Sequence, residues 1–167
     1  MKKITHLIDL LSDCVGTIIA PLTLIMMLLT CIVVAARYLF NVGATSIQET
    51  VIYLHGIVFM LGIAYTLRQS GHVSVDIVYQ RLSLKTRAVV NLFGTLVFLF
   101  PVAIFLIWTS LDYVSFSWSL KEGSPEPGGL PFVYLLKTLI PVMAILLLLQ
   151  GIAELLRNLE TLLQGKH

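Results

Sequence analysis

Charge is what this sequence has least of. Only 12% of its 167 residues are Asp, Glu, Lys or Arg, where a soluble globular domain carries about 25%. The formal net charge is +2, too small to call for a nucleic-acid partner. Cysteine is nearly absent. Cys14 and Cys31 are separated by about 25 Å along one predicted helix, which excludes a disulfide between them and leaves no thiol redox pair. Of the four histidines, only His55 falls inside an apolar run. The chain therefore has no second intramembrane imidazole for bis-histidine haem ligation, and His55 reads as a buried hydrogen-bonding residue. There is no phosphate-binding loop, no HExxH, no carboxylate pair within an apolar run and no internal repeat. These absences leave no catalytic constellation, so neither enzyme activity nor a cofactor or metal is expected of this chain.

What is present is apolar length. The chain is 57% hydrophobic. Uncharged windows cover residues 14–36, 50–67 and 88–111, and a fourth, 132–153, is interrupted only by Lys137. A membrane-spanning helix needs about 17–25 mostly apolar residues, and lipid leaves no partner for unpaired backbone groups. The expectation is an all-α, four-helix integral membrane protein forming a single domain over 1–167. Lys2, Lys3, Arg68, Arg81, Lys85, Arg87, Arg157 and Lys166 fall on one side, against Arg37, Lys121 and Lys137 on the other. The positive-inside rule then places both termini in the cytoplasm. Asp9 and Asp13 precede the first apolar run, and that run exceeds the core of a cleaved signal. A last helix from Pro131 to Gln164 would extend about 51 Å, long enough to protrude or bend on the cytoplasmic side.

The polar residues between the runs carry the candidate sites. In "ARYLFNVGATSIQET", residues 36–50, Arg37 closes the first span and Asn41 and Gly43 break it. Ser46 and Glu49 have capping-box spacing, with Ser46 as the cap of the second helix and Glu49 reaching back to its amide. The competing reading makes Arg37 and Glu49 a pair or a partner contact on the outer face. In "RQSGHVSVDIVYQRLSLKTR", residues 68–87, Arg68 ends the second span, and residues 73–84 read as a short helix in the membrane interface. His72 and Asp76 are four apart and would touch on such a helix. Ser83 is a candidate cap for the third helix. Lys137, near the start of the fourth helix, opposes its dipole. It snorkels, pairs with Asp112, Glu122 or Glu126, or contacts a partner subunit. Gly16 with Ala20, and Gly62 with Ala64, read as close-packing points between helices.

Three stretches together resemble a known family. They are "RYLFN" after the first span, "QETVIYLHGIVFMLGIAYTLRQSGHVSVDIV" over the second, and "EGSPEPGGLPFVYLLKTLIPVMAILLLLQGIAELLR" over the fourth. In order and spacing they are similar to the small membrane subunit of tripartite ATP-independent periplasmic (TRAP) transporters, the DctQ-like family. The resemblance implies a bacterial inner-membrane accessory subunit. Its partners would be a large multi-span permease subunit, which carries the sodium and substrate sites, and a periplasmic protein that captures organic acids. Membrane lipid would surround it. The resemblance also places Arg37, Glu49, Arg68, His72 and Asp76 on polar positions of the family, none of them catalytic. Two other readings stand beside it: a haem or quinone anchor of a redox complex, and a self-contained small transporter acting as a homo-oligomer.

Overall fold

The computed structural model describes residues 2–41, 43, 45–69 and 82–164. His72, Asp76 and most of the expected interfacial helix lie outside the described residues. The described chain is all helical. Helix α1 covers Lys2–Phe40 and α2 covers Thr45–Arg68. Helix α3, Leu84–Gly94, runs through a π-helical turn, Thr95–Leu99, into α4, Phe100–Leu120. Helix α5 covers Val133–Gln164. Four rods are therefore long and apolar enough to cross a membrane, the third being Leu84–Leu120. Each is built around one of the apolar runs.

The ends of these rods follow local chemistry. The stretch before the first apolar run does not break, so α1 is one helix of 39 residues. It stops where Asn41 takes a left-handed φ of 53°, a conformation asparagine tolerates better than most residues. Ser83 caps α3 as its sequence suggests, its hydroxyl accepting from the Thr86 amide at 3.2 Å. The π turn lies directly before Pro101, which has no N–H to give to the helix; within it the Phe100 N–H bonds to the Thr95 carbonyl, five residues back. Helix α4 ends at Lys121, left-handed at φ 44°.

Packing centres on α5, which touches α1, α2, α3, α4 and the π turn. Its buried face is made of small or polar residues: Ala144, Gln150, Gly151, Ala153 and Asn158. Small residues let helices approach closely, which in lipid replaces the hydrophobic driving force. Gly16 and Gly62 belong to this set. A Cβ on Gly16 would lie 2.5 Å from the Tyr65 ring, and one on Gly62 would lie 3.3 Å from Ile19 Cδ1. Ala64 is buried, but Ala20 faces outward, so only part of the expected small-residue pairing is an interface. His55 is a second correction. It is exposed on α2 and stacks on Phe59 with ring centroids 6.2 Å apart; among the described residues no helix buries it. The up-and-down path gathers the start of α1 and the ends of α2 and α5 at one end of the bundle. The start of α2 and the 121–132 loop meet at the other.

Candidate functional site

The end that holds the start of α1 is closed by an ionic lock. Arg157 on α5 donates through Nη1 to both oxygens of Asp9 on α1, at 2.9 and 2.8 Å, and through Nη2 to Glu154 at 2.6 Å. Arg68, at the last residue of α2, faces the same Asp9 with Nε 3.5 Å away, and also pairs with Asp13. Beneath these lies Gln150, fully buried. It accepts from Ser12 Oγ at 2.8 Å and donates to Asp9 at 3.3 Å. Three helices thus converge on one carboxylate. Of this group only Arg68 was a candidate from sequence. The readable signal for the rest was Asp9 and Asp13, four apart on one helical face, facing basic residues that close two other apolar runs.

The opposite end is organised around the 121–132 loop. Glu49 on α2 binds it with both carboxylate oxygens. One accepts from the Leu130 amide at 2.6 Å and the other from the Ser124 hydroxyl. Gly129 makes this contact feasible, since a Cβ there would fall 2.7 Å from the Glu49 carboxylate and 2.6 Å from Ser124 Cβ. The capping box is therefore not formed. Ser46 is the second residue of α2, which begins at Thr45, and its carbonyl accepts from the Thr50 hydroxyl at 2.8 Å. Two donors from a distant loop engage the carboxylate that the local motif would have used.

The loop's other edge is tied to α4 and α5. Lys137 pairs with Glu122 at 2.5 Å, one of the three carboxylates its position allowed. Its ammonium also sits 4.1 Å from the centroid of the Tyr113 ring, a cation–π contact. Ser117 donates to the same Glu122 oxygen at 2.6 Å. The Lys137 hydrogen bond first, and that of Ser117 second, hold the Glu122 carboxyl below its usual range. Trp118 adds a hydrogen bond to Thr138 at 2.8 Å and an edge contact with Tyr134 at 4.8 Å.

Glu49 and Lys137 thus hold the same loop from two sides. Arg37 does not join them. It is exposed at the end of α1 and makes no hydrogen bond or ion pair among the described residues, although it lines a cleft that also touches Glu49. Among the described residues no three His, Cys, Asp or Glu side chains are placed to hold a metal.

The polar groups at the two ends tie the helices to one another and to a loop, and the four rods between them are long and apolar enough to cross a membrane. The chain belongs to the family described as tripartite ATP-independent periplasmic transporters, DctQ component, whose match covers residues 26–161. It is thereby a component of a transporter rather than an enzyme. No curated protein and no solved structure matches the chain.

Proposed function

We propose that this chain is the scaffold subunit of a sodium-driven TRAP transporter for organic acids. It sits in the bacterial inner membrane with both termini in the cytoplasm. The large permease subunit packs against its exposed apolar faces and carries out the sodium-coupled transport. The periplasmic binding protein docks at the end formed by the 121–132 loop.

The observation that carries this reading is the double anchoring of that loop. Glu49 fixes one edge through the Leu130 amide, and Lys137 fixes the other through Glu122. A loop held in this way presents a fixed backbone surface, which limits the ordering cost of docking. The spans offer no obvious coupling group of their own, whereas ion-coupled transporters place ionisable or unwound elements near the midplane. A scaffold is the role left for them.

The test is uptake in vesicles at varied binding-protein concentration. With all three components, Glu49→Ala is expected to raise the amount of binding protein needed for half-maximal uptake while leaving the maximal rate near that of wild type. An unchanged requirement would remove the docking role from this end. Neither a haem anchor nor a stand-alone transporter gains a supporting observation; His55 stacks on Phe59 and faces no second imidazole among the described residues.

A further inference from the structure

Apart from Glu49, the residues that line the cleft beside the anchored loop take no part in the loop's anchoring. It lies between the last turns of α1 and the first turns of α2, with Glu126 of the loop at its edge, and holds about 680 Å³. That is within the range of small-molecule sites, roughly 300–1,000 Å³. Its polarity is graded along the bundle axis. Arg37, Thr45, Gln48 and Glu126 form the upper rim, and Val33, Val34, Val51 and Ile52 form the wall below. At the bottom, Thr30 gives its hydroxyl to the Met26 carbonyl at 2.8 Å, so it adds little free polarity. Thr30 to Arg37 spans about 10 Å of helix, the depth from a headgroup into the acyl region. Val34, Tyr38 and Ile52 are exposed on the bundle surface, so the cleft opens toward lipid.

Two charges at the rim are unused. Glu49 lines the cleft, but its oxygens are engaged by Leu130 and Ser124. Arg37 has no partner among the described residues, and neither does the Glu126 carboxylate, whose residue contributes only backbone groups to the loop. One free guanidinium and one free carboxylate, above an apolar slot, match a ligand with an anion, a cation bearing N–H donors and a hydrocarbon tail. We propose that the cleft binds an ethanolamine phospholipid. The phosphate is held by Arg37, whose fork suits phosphate oxygens, the ammonium by Glu126, and an acyl chain lies along Val33, Val34 and Ile52.

The site needs no transporter partner, so its test stands apart from the scaffold reading. The purified chain in mild detergent is titrated with three phospholipids of identical acyl chains, and bound lipid is counted by native mass spectrometry. Phosphatidylethanolamine supplies phosphate and N–H donors. Phosphatidylcholine supplies phosphate and a cation without N–H, and phosphatidylglycerol supplies phosphate and hydroxyls without a cation. The ethanolamine lipid is expected to bind about tenfold more tightly than the choline lipid, as one charge-assisted hydrogen bond would give. Arg37→Gln weakens all three, Arg37→Lys restores part of the loss, and Glu126→Gln removes the preference for ethanolamine over choline while sparing the glycerol lipid. Equal binding of ethanolamine and choline lipids by the wild-type chain overturns the proposal, and this comparison needs no variant to fold. An ethanolamine preference that survives both Arg37→Gln and Glu126→Gln overturns it too, because the lipid then sits elsewhere.

Discussion

At Glu49 a distant loop wins over a local motif. A capping box would engage one carboxylate oxygen with the Ser46 amide. The 121–132 loop instead brings the Leu130 amide and the Ser124 hydroxyl to both oxygens. Hydrogen bonds to charged groups contribute about 1.5–3 kcal/mol, so Glu49→Ala should lower stability by about 2 kcal/mol and loosen the loop. Ser46 is exposed within the helix, and Ser46→Ala should stay within about 0.5 kcal/mol of wild type. Denaturant unfolding in detergent checks both, and a larger loss for Ser46→Ala than for Glu49→Ala would restore the cap. Glu122 gives a pH dependence with a definite sign. Its carboxyl is held below the usual range, mainly by Lys137. A depressed folded-state value means that the unfolded state takes up protons first as pH falls. The stabilising contribution is therefore full above the ordinary carboxylate value and is lost as pH falls through the depressed one. The melting-temperature gap between wild type and Glu122→Gln should be widest near neutral pH and close in acid. A gap that widens in acid would contradict the assignment.

At the scale of the elements, most of the bundle is legible in the sequence. Long apolar runs, one of them interrupted by Lys137, mark the spans because lipid admits few other ways to satisfy the backbone. Ser83 announced the start of α3, and Asn41 the end of α1, through chemistry within a few residues. The two ends were less legible. Asp9 and Arg157 are joined by tertiary packing, and no spacing rule connects residues so far apart in sequence. Glu49 was singled out, but its partners were hidden for the same reason. Close helix approach makes a sharper prediction. Gly151 on α5 packs against the π turn, and a Cβ there would lie 2.6 Å from Leu99 Cδ2 and 2.9 Å from Phe100 Cε1. Both side chains would have to shift to admit it. Gly151→Ala should destabilise by about 1–3 kcal/mol, the cost typical of overpacking, and Gly151→Ala with Phe100→Leu should recover part of that. Thermal unfolding of the single and double variants reads the coupling; simple additivity would show that the two residues do not press on each other.

At the scale of the whole molecule, orientation and dependence remain to be measured together. Basic residues concentrate at the end that holds the start of α1, with Arg68, Lys85, Arg87 and Arg157 there and Arg37, Lys121 and Lys137 at the other. By the positive-inside rule, reporters fused after Lys85 or His167 should read cytoplasm, and one inserted near Glu126 should read periplasm. A periplasmic reading after His167 would invert or break the four-span path. In that orientation the anchored 121–132 loop would face the periplasm, as the proposed docking requires. Uptake should therefore need all three components. The chain alone in proteoliposomes, under an inward sodium gradient, should move no organic acid, because its ionised groups sit at the two ends and not along a midplane path. Adding the large permease subunit and the binding protein from the same genome should produce uptake that collapses when sodium is replaced by potassium. Sodium-coupled uptake by this chain alone would mean that a group within these four helices binds the ion, and the scaffold role would have to be withdrawn.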